Sequence, residues 1–219
     1  MSLETEPEPV HLRPTQTRQA RKPPMTTSPA KSAVADHILR VAGALFFREG
    51  IRAVGIDRII GEADIAKATL YRHFSSKEDL VLAYLQDRHE RVMEGPAASA
   101  AEHSGARERL AAIFDRLAEK AEDKAFRGCA FALAVAEHGD SEKIVALARL
   151  HKQAMAEALL ALARDAGVAE PQAIGRHLVL LYDGALARRA VLGTPQPMHD
   201  AKDAALALID GAPKRPSPV

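Results

Sequence analysis

Ile65-Ala66-Lys67-Ala68-Thr69-Leu70-Tyr71-Arg72-His73-Phe74-Ser75-Ser76-Lys77-Glu78-Asp79-Leu80 decides how this chain is read. The stretch holds a short helix, an aromatic corner and the start of a second helix. Ser76 is placed as an N-cap, and Asp79, three residues on, completes a capping-box pattern. Just upstream, Gly55-Ile56-Asp57-Arg58-Ile59-Ile60-Gly61-Glu62-Ala63-Asp64 predicts another short helix and a tight turn. Ile56, Ile59, Ile60 and Ala63 give that helix an apolar face, which Ile65 and Leu70 continue beyond the turn. Two short helices so joined, the second turning basic and hydroxyl groups outward, spell a helix-turn-helix. Such a unit places its second helix in the DNA major groove.

The chemistry of the second helix fits that role. Its outward residues are Ala66, Lys67, Thr69, Arg72 and His73. Lys67 can donate to guanine O6 or N7, and Thr69 can donate or accept at several base edges. Ala66 and Ala68 are small enough for close backbone approach, with methyls that suit thymine. Arg72 lies farther along and reaches a base or a phosphate. Lys77 sits in the first turn of the next helix, where the macrodipole disfavours a cation but backbone N–H groups attract a phosphate. Tyr71 and His73 bring further donors to the same surface. Asp64 takes the turn position, and Asp tolerates positive φ better than most residues.

Working outward, Val34, Ile38, Val41, Ala42 and Leu45, with Phe46 beside them, predict a first helix over about 31–49, closed by Gly50 as a left-handed C-cap. Residues 1–30 carry six prolines and little apolar content, which reads as a disordered arm. Its acidic start (Glu4, Glu6, Glu8) gives way to Arg13, Arg18, Arg21 and Lys22, a basic half that is either a solvated tail or an arm on DNA. Downstream of Ser76 the fourth helix is expected to stop at Gly95-Pro96. Further helices are expected near 104–123, 127–138, 141–166, 170–193 and 198–210, and the proline-bearing stretch 212–219 as a frayed, disordered tail.

Bulk composition agrees. The 219 residues are 47% hydrophobic but only 4% aromatic, without Trp, so a packed core is feasible and strands are poorly supported. The fold class read from this is all-α. A net charge of +1 does not announce nucleic-acid binding, though a chain average hides a local patch. One cysteine, Cys129, precludes an internal disulfide framework. No apolar run reaches the roughly 18 residues of a membrane span, and the N-terminus lacks a signal-peptide core. A cytoplasmic protein without a membrane partner is expected.

Residues 33–82 resemble the DNA-binding domain of TetR-family transcriptional regulators. The resemblance is carried by Ile38 to Phe46 with Gly50, by Gly55-Ile56-Asp57-Arg58-Ile59-Ile60, and by Ala66 to Leu80, above all its Leu-Tyr-x-His-Phe-x-Ser-Lys-Glu core. It implies a three-helix head over 31–77 and a helical ligand-binding and dimerisation domain over 78–211. It also implies an Ω-shaped homodimer, here through the last two helices, whose alanines suit close approach. By that pattern Lys67, Ala68 and Arg72 lie where bases are read, and Tyr71, His73 and Lys77 where phosphates are held. Gly55, Asp64 and Ala66 depart from the family's frequent Thr, Gly and Ser. Gly55 removes one phosphate contact, and Ala66 leaves its helix without a side-chain cap.

The regulatory half is expected to hold an inducer pocket among helices 4 to 7. Phe114, Phe131, His151, Met155, His177 and Tyr182 are the ligand-binding candidates, each with an alternative reading as core or surface. An apolar pocket with few polar anchors would favour a lipophilic molecule. The run Phe126 to His138 also resembles a subgroup of the family in which Arg-Gly-Cys opens helix 6. Cys129 there is either a thiol sensor or inert packing.

A ligand-responsive, dimeric regulator, acting as a repressor on a palindromic double-stranded operator, is therefore the first reading. The alternatives are a related fold that no longer binds DNA, or an all-α enzyme or small-molecule binding protein. An enzyme would need a constellation, and the nine histidines show no zinc spacing, no nucleophile elbow and no phosphate loop. No metal, cofactor or catalytic residue is expected.

Overall fold

The computed structural model describes residues 33–215; the expected N-terminal arm and residues 216–219 lie outside them. The described residues form nine helices: α1 (Ala33–Glu49), α2 (Ile56–Ala63), α3 (Lys67–His73), α4 (Lys77–Glu102), α5 (Ala106–Ala121), α6 (Ala130–His138), α7 (Glu142–Asp165), α8 (Pro171–Leu192) and α9 (Gln196–Gly211). The all-α class follows.

Buried side chains gather in two clusters. The first joins α1 to α4 with α6 and the start of α7, through Ile38, Leu45, Phe46, Ile59, Leu70, Leu80 and Phe131. Phe46 and Tyr84 meet edge to face at 5.6 Å within it, tying α1 to α4. The second joins α5, α7, α8 and α9 through Leu110, Phe114, Leu159, Leu178 and Met198. Cys129 packs against both, as a small apolar side chain does.

Three expectations needed correction. The fourth helix does not stop at Gly95-Pro96: α4 runs on to Glu102 with Pro96 inside it. A mid-helix proline removes an N–H and strains the preceding turn. Here α5 holds the distal turns from outside: Arg116 donates to the Gly95 carbonyl at 2.9 Å and to Glu102 at 2.6 Å. Fully buried Ser99 donates to the Arg109 carbonyl at 2.7 Å. Second, residues 212–215 are not frayed. Ala169 N–H donates to the Pro213 carbonyl and Arg215 N–H to the Gly167 carbonyl, at 2.7 and 2.8 Å, around an isolated Val168–Lys214 bridge. Third, α6 starts at Ala130, not near 127, because Gly128 takes φ +89° where a Cβ would lie 2.9 Å from the Leu186 carbonyl.

Caps behave as the residue types dictate. Gly50 closes α1 at φ +97°, and its N–H returns to the Phe46 carbonyl at 3.0 Å. Ser76 Oγ accepts the Asp79 N–H at 3.0 Å. Ala66, at φ −70° and ψ 145°, stands at the N-cap of α3 with no side-chain bond.

Candidate functional site

The helix-turn-helix is built as its residues require. Asp64 ends α2 in the left-handed region, with φ 50°. The turn is braced from α1, where His37 Nε2 donates to the Ala63 carbonyl at 3.0 Å and Arg40 donates to His37 Nδ1 at 3.1 Å. Leu70 is fully buried beneath α3, which fixes the helix roll. That roll leaves Lys67, Ala68, Tyr71 and Arg72 exposed and Thr69 and His73 half-buried. Tyr71 is 44% exposed, so it is not a core aromatic. Lys67 meets Asp57 at 3.3 Å across α2 and α3, an exposed pair worth at most about 1 kcal/mol and easily exchanged for another partner.

Lys77 differs from these. It is half-buried, and burial pushes its ammonium below the ordinary lysine pKa while Glu137 on α6 pulls the other way. Asp79 accepts from Ser75 Oγ and the Ser76 groups, which holds its carboxyl below the usual range and reinforces the start of α4. The same region is fastened to the helices behind it. Ser141 Oγ donates to Glu78 at 2.5 Å, and Arg52 N–H donates to Glu137 at 2.6 Å.

A cavity of about 370 Å³ lies between α1, α4, α5, α6, α7 and α8. Of the six ligand-binding candidates, Phe131, His151, Met155 and Tyr182 line it. Phe114 does not: it is fully buried in the second cluster, edge-on to Tyr182 at 6.1 Å. His177 does not either, standing exposed on α8. The wall is also less apolar than expected, since Arg88, Arg91, Arg116, Lys120 and Lys152 face the cavity with Glu119, Asp123 and Asp183. Those charges sit at half-polar helix positions that, one at a time, read as solvated faces.

Several of these groups have fixed partners. Lys152 meets Asp183 at 2.6 Å, and Arg91 meets Asp87 at 3.0 Å. His151 stacks on Phe131 with centroids 3.7 Å apart and shares an Nδ1–Nδ1 contact of 3.1 Å with His89 of α4. One ring must donate there and the other accept, so the two cannot both be imidazolium. Burial, with His89 and Lys152 nearby, lowers the His151 pKa from 6.5 to about 4. Burial likewise pushes the Tyr182 hydroxyl well above the ordinary tyrosine value. Among the described residues no cluster of three His, Cys, Asp or Glu side chains is arranged to hold a metal, and no helix is long and apolar enough to cross a membrane.

Residues 38–84 match the family model described as bacterial regulatory proteins, tetR family. The chain is 34% identical to the solved structure of SCO4454, a TetR-family transcriptional regulator from Streptomyces coelicolor, with a TM-score of 0.73 over 81% of this chain and 93% of that one. A TetR-family regulator (sav143) from Streptomyces avermitilis aligns at 25% identity and a TM-score of 0.65, over 79% of this chain and 98% of that one. The HTH-type transcriptional activator FasR of Mycolicibacterium smegmatis is 35% identical over 78 residues, a match spanning only 36% of each protein.

Proposed function

The chain belongs to the TetR family of bacterial regulatory proteins, and from that premise we propose how its parts divide the work. It is a DNA-binding transcriptional regulator. In our reading Lys67, Ala68, Thr69 and Arg72 face bases, while Tyr71, His73 and Lys77 face phosphates. The exposure of α3 above a buried Leu70 supports the first set, and the N-terminus of α4 supports the second.

The dimer is proposed to form through α8 and α9. His177, Leu180, Gly184, Ala187 and Val191 fall on one exposed stripe of α8, with Leu180 69% and Val191 84% exposed. Gly184 lies mid-helix with open space around its Cα, which costs helix stability unless another helix approaches there. Two heads on a two-fold axis would meet successive major grooves roughly 34–36 Å apart.

The observation that carries ligand response is shared ownership of the cavity wall. Phe47 lines it from α1, a helix of the DNA-binding head, and Arg88 and Val92 line it from α4, whose first turn carries Lys77. Arg88 lies about 16 Å along α4 from Lys77. An occupant that prefers one setting of α4 shifts the head spacing and thereby operator affinity. Repression is proposed because occlusion asks nothing beyond operator binding; FasR, named an activator, is the reason to test the sign. The regulator is proposed to work in the cytoplasm and to catalyse no reaction.

The test is fluorescence anisotropy on DNA from the chain's own upstream region beside a scrambled duplex. Salt-sensitive preference for the native fragment is expected. Leu180→Glu with Val191→Glu should yield monomers in analytical ultracentrifugation and weaken that binding. Equal weak binding to both duplexes contradicts a local operator, and an unchanged dimer contradicts the α8 interface. A promoter fusion with and without the protein reads the sign.

A further inference from the structure

We propose that the cavity takes an amphipathic organic anion, its charged head between Arg88 and Lys120 and its apolar body along the inner wall. This deepens the ligand-responsive reading and rests on it. Three of the cavity's five cations already have partners. Arg91, Arg116 and Lys152 are each tied to a carboxylate, Asp87, Glu102 and Asp183. Among the described residues Arg88 and Lys120 make no hydrogen bond or ion pair. Of the acids on the wall, Asp183 is engaged by Lys152, Asp123 accepts the Ala125 N–H at 2.8 Å, and Glu119 is exposed. The wall thus carries more positive than negative charge, concentrated where α4 faces α5.

Arg88 is held ready for such a head. Its guanidinium lies over the Phe47 ring, 4.4 Å from the centroid, so one face is covered and its N–H edge is free. That edge is a planar fork suited to a carboxylate or another oxyanion. Lys120 stands at the mouth, where burial and then Arg88 lower its pKa, more than Glu94 raises it. Two cations set against each other in this way are relieved by an intervening anion. Deeper in, Val92, Ile113, Leu117, Phe126, Met155 and Leu186 supply an apolar surface. The volume of about 370 Å³ sits near the lower end of small-molecule sites, roughly 300–1,000 Å³.

This placement also gives the ligand a lever. An anion bonded to Arg88 loads the Arg88–Phe47 stack, which joins α4 to α1. The head therefore feels the charged end of the ligand directly, while the apolar body sets residence.

The experiment compares octanoate, 1-octanol and octylammonium by isothermal titration on the full-length protein and on the Arg88→Met/Lys120→Met double variant. Octanoate should bind at least about tenfold more tightly than octanol, and octylammonium more weakly still. In the variant, octanoate should fall to the octanol level while octanol binding stays unchanged, which also reports that the variant is folded. Equal binding of octanol or octylammonium, a preference that survives in the variant, or no binding by any probe overturns the anion assignment. A separate variant, Met155→Trp, fills the cavity without a ligand. If it shifts operator affinity, ligand response stands even where the anion fails; if it shifts nothing, ligand response itself fails.

Discussion

The head formed by α1 to α3 and the helical half behind it differ in where they keep their charge. In the head, Lys67 and Arg72 stand in solvent over an apolar underside, and the Lys67–Asp57 contact is exposed and weak. In the helical half, several charges are tied to fixed partners across helices, and one is drawn inward. Arg189 is only 4% exposed and donates to the carbonyls of Ala121, Asp123 and Phe126 at 2.7, 2.9 and 3.4 Å. It finishes the C-terminus of α5 and holds the loop to α6, with its guanidinium 5.6 Å from the Phe126 ring centre. Charge on α3 is thus available to a partner, while Arg189 and the ion-paired charges behind the head are committed to the fold. Arg88 and Lys120 are among the cations of the second region that are not so committed, and these two border its cavity.

The largest expected effect sharpens this contrast. Arg189→Met should cost about 3 kcal/mol in urea unfolding, because three carbonyls lose a charged donor in a dry site. A cost below about 1 kcal/mol would mean that water replaces the guanidinium and that the interior is less committed than described.

The next effect is pH-dependent. His151 has a folded pKa of about 4 against an ordinary 6.5. Below pH 6.5 the unfolded chain takes up a proton that the folded chain refuses, so stability falls as pH drops through that window and levels off below 4. His151→Phe, which keeps a ring on Phe131, should remove this component, on the order of 2 kcal/mol between pH 7 and pH 4. Parallel stability curves for the two proteins would contradict it.

In the head the pattern inverts. Lys67→Ala should leave unfolding within about 0.5 kcal/mol of the parent, since its Asp57 contact is exposed. The same change should reduce discrimination between operator and single-base variants by roughly 1–2 kcal/mol. Loss of stability with unchanged discrimination would break the comparison from the other side. The smallest effect is a gain. Ala66 already has N-cap dihedrals, so Ala66→Ser should add about 0.5–1 kcal/mol, read as a raised unfolding midpoint.

These differences also explain what could be read in advance. The head was legible because its determinants are local: Ser76 caps three residues away, Gly50 closes its own helix, and Leu70 marks the buried side of α3. The Gly95-Pro96 stop failed because what sustains α4 beyond it comes from Arg116 and Arg109 on another helix. The Lys214 bridge escaped notice for the same reason, its partner Val168 being distant in sequence. Phe131, His151, Met155 and Tyr182 were found as apolar or semi-polar positions on inward faces. Phe114 lies on such a face too, yet points into the second cluster, and His177 lies on the outer stripe of α8. The cavity cations were missed outright. A charged residue at a half-buried helical position gives no sequence signal separating a solvated face from a pocket wall, and only the packing of α4 against α5 makes that distinction.

The most direct test of the central claim is an operator titration across a series of salt concentrations, for the parent, Lys67→Ala and Lys77→Ala. Lys77→Ala should weaken binding to every duplex and lower the salt slope by about one unit, whereas Lys67→Ala should reduce the preference for the operator by roughly 1–2 kcal/mol. If both variants keep the parental slope and the parental preference, α3 and the start of α4 are not the surface that meets DNA.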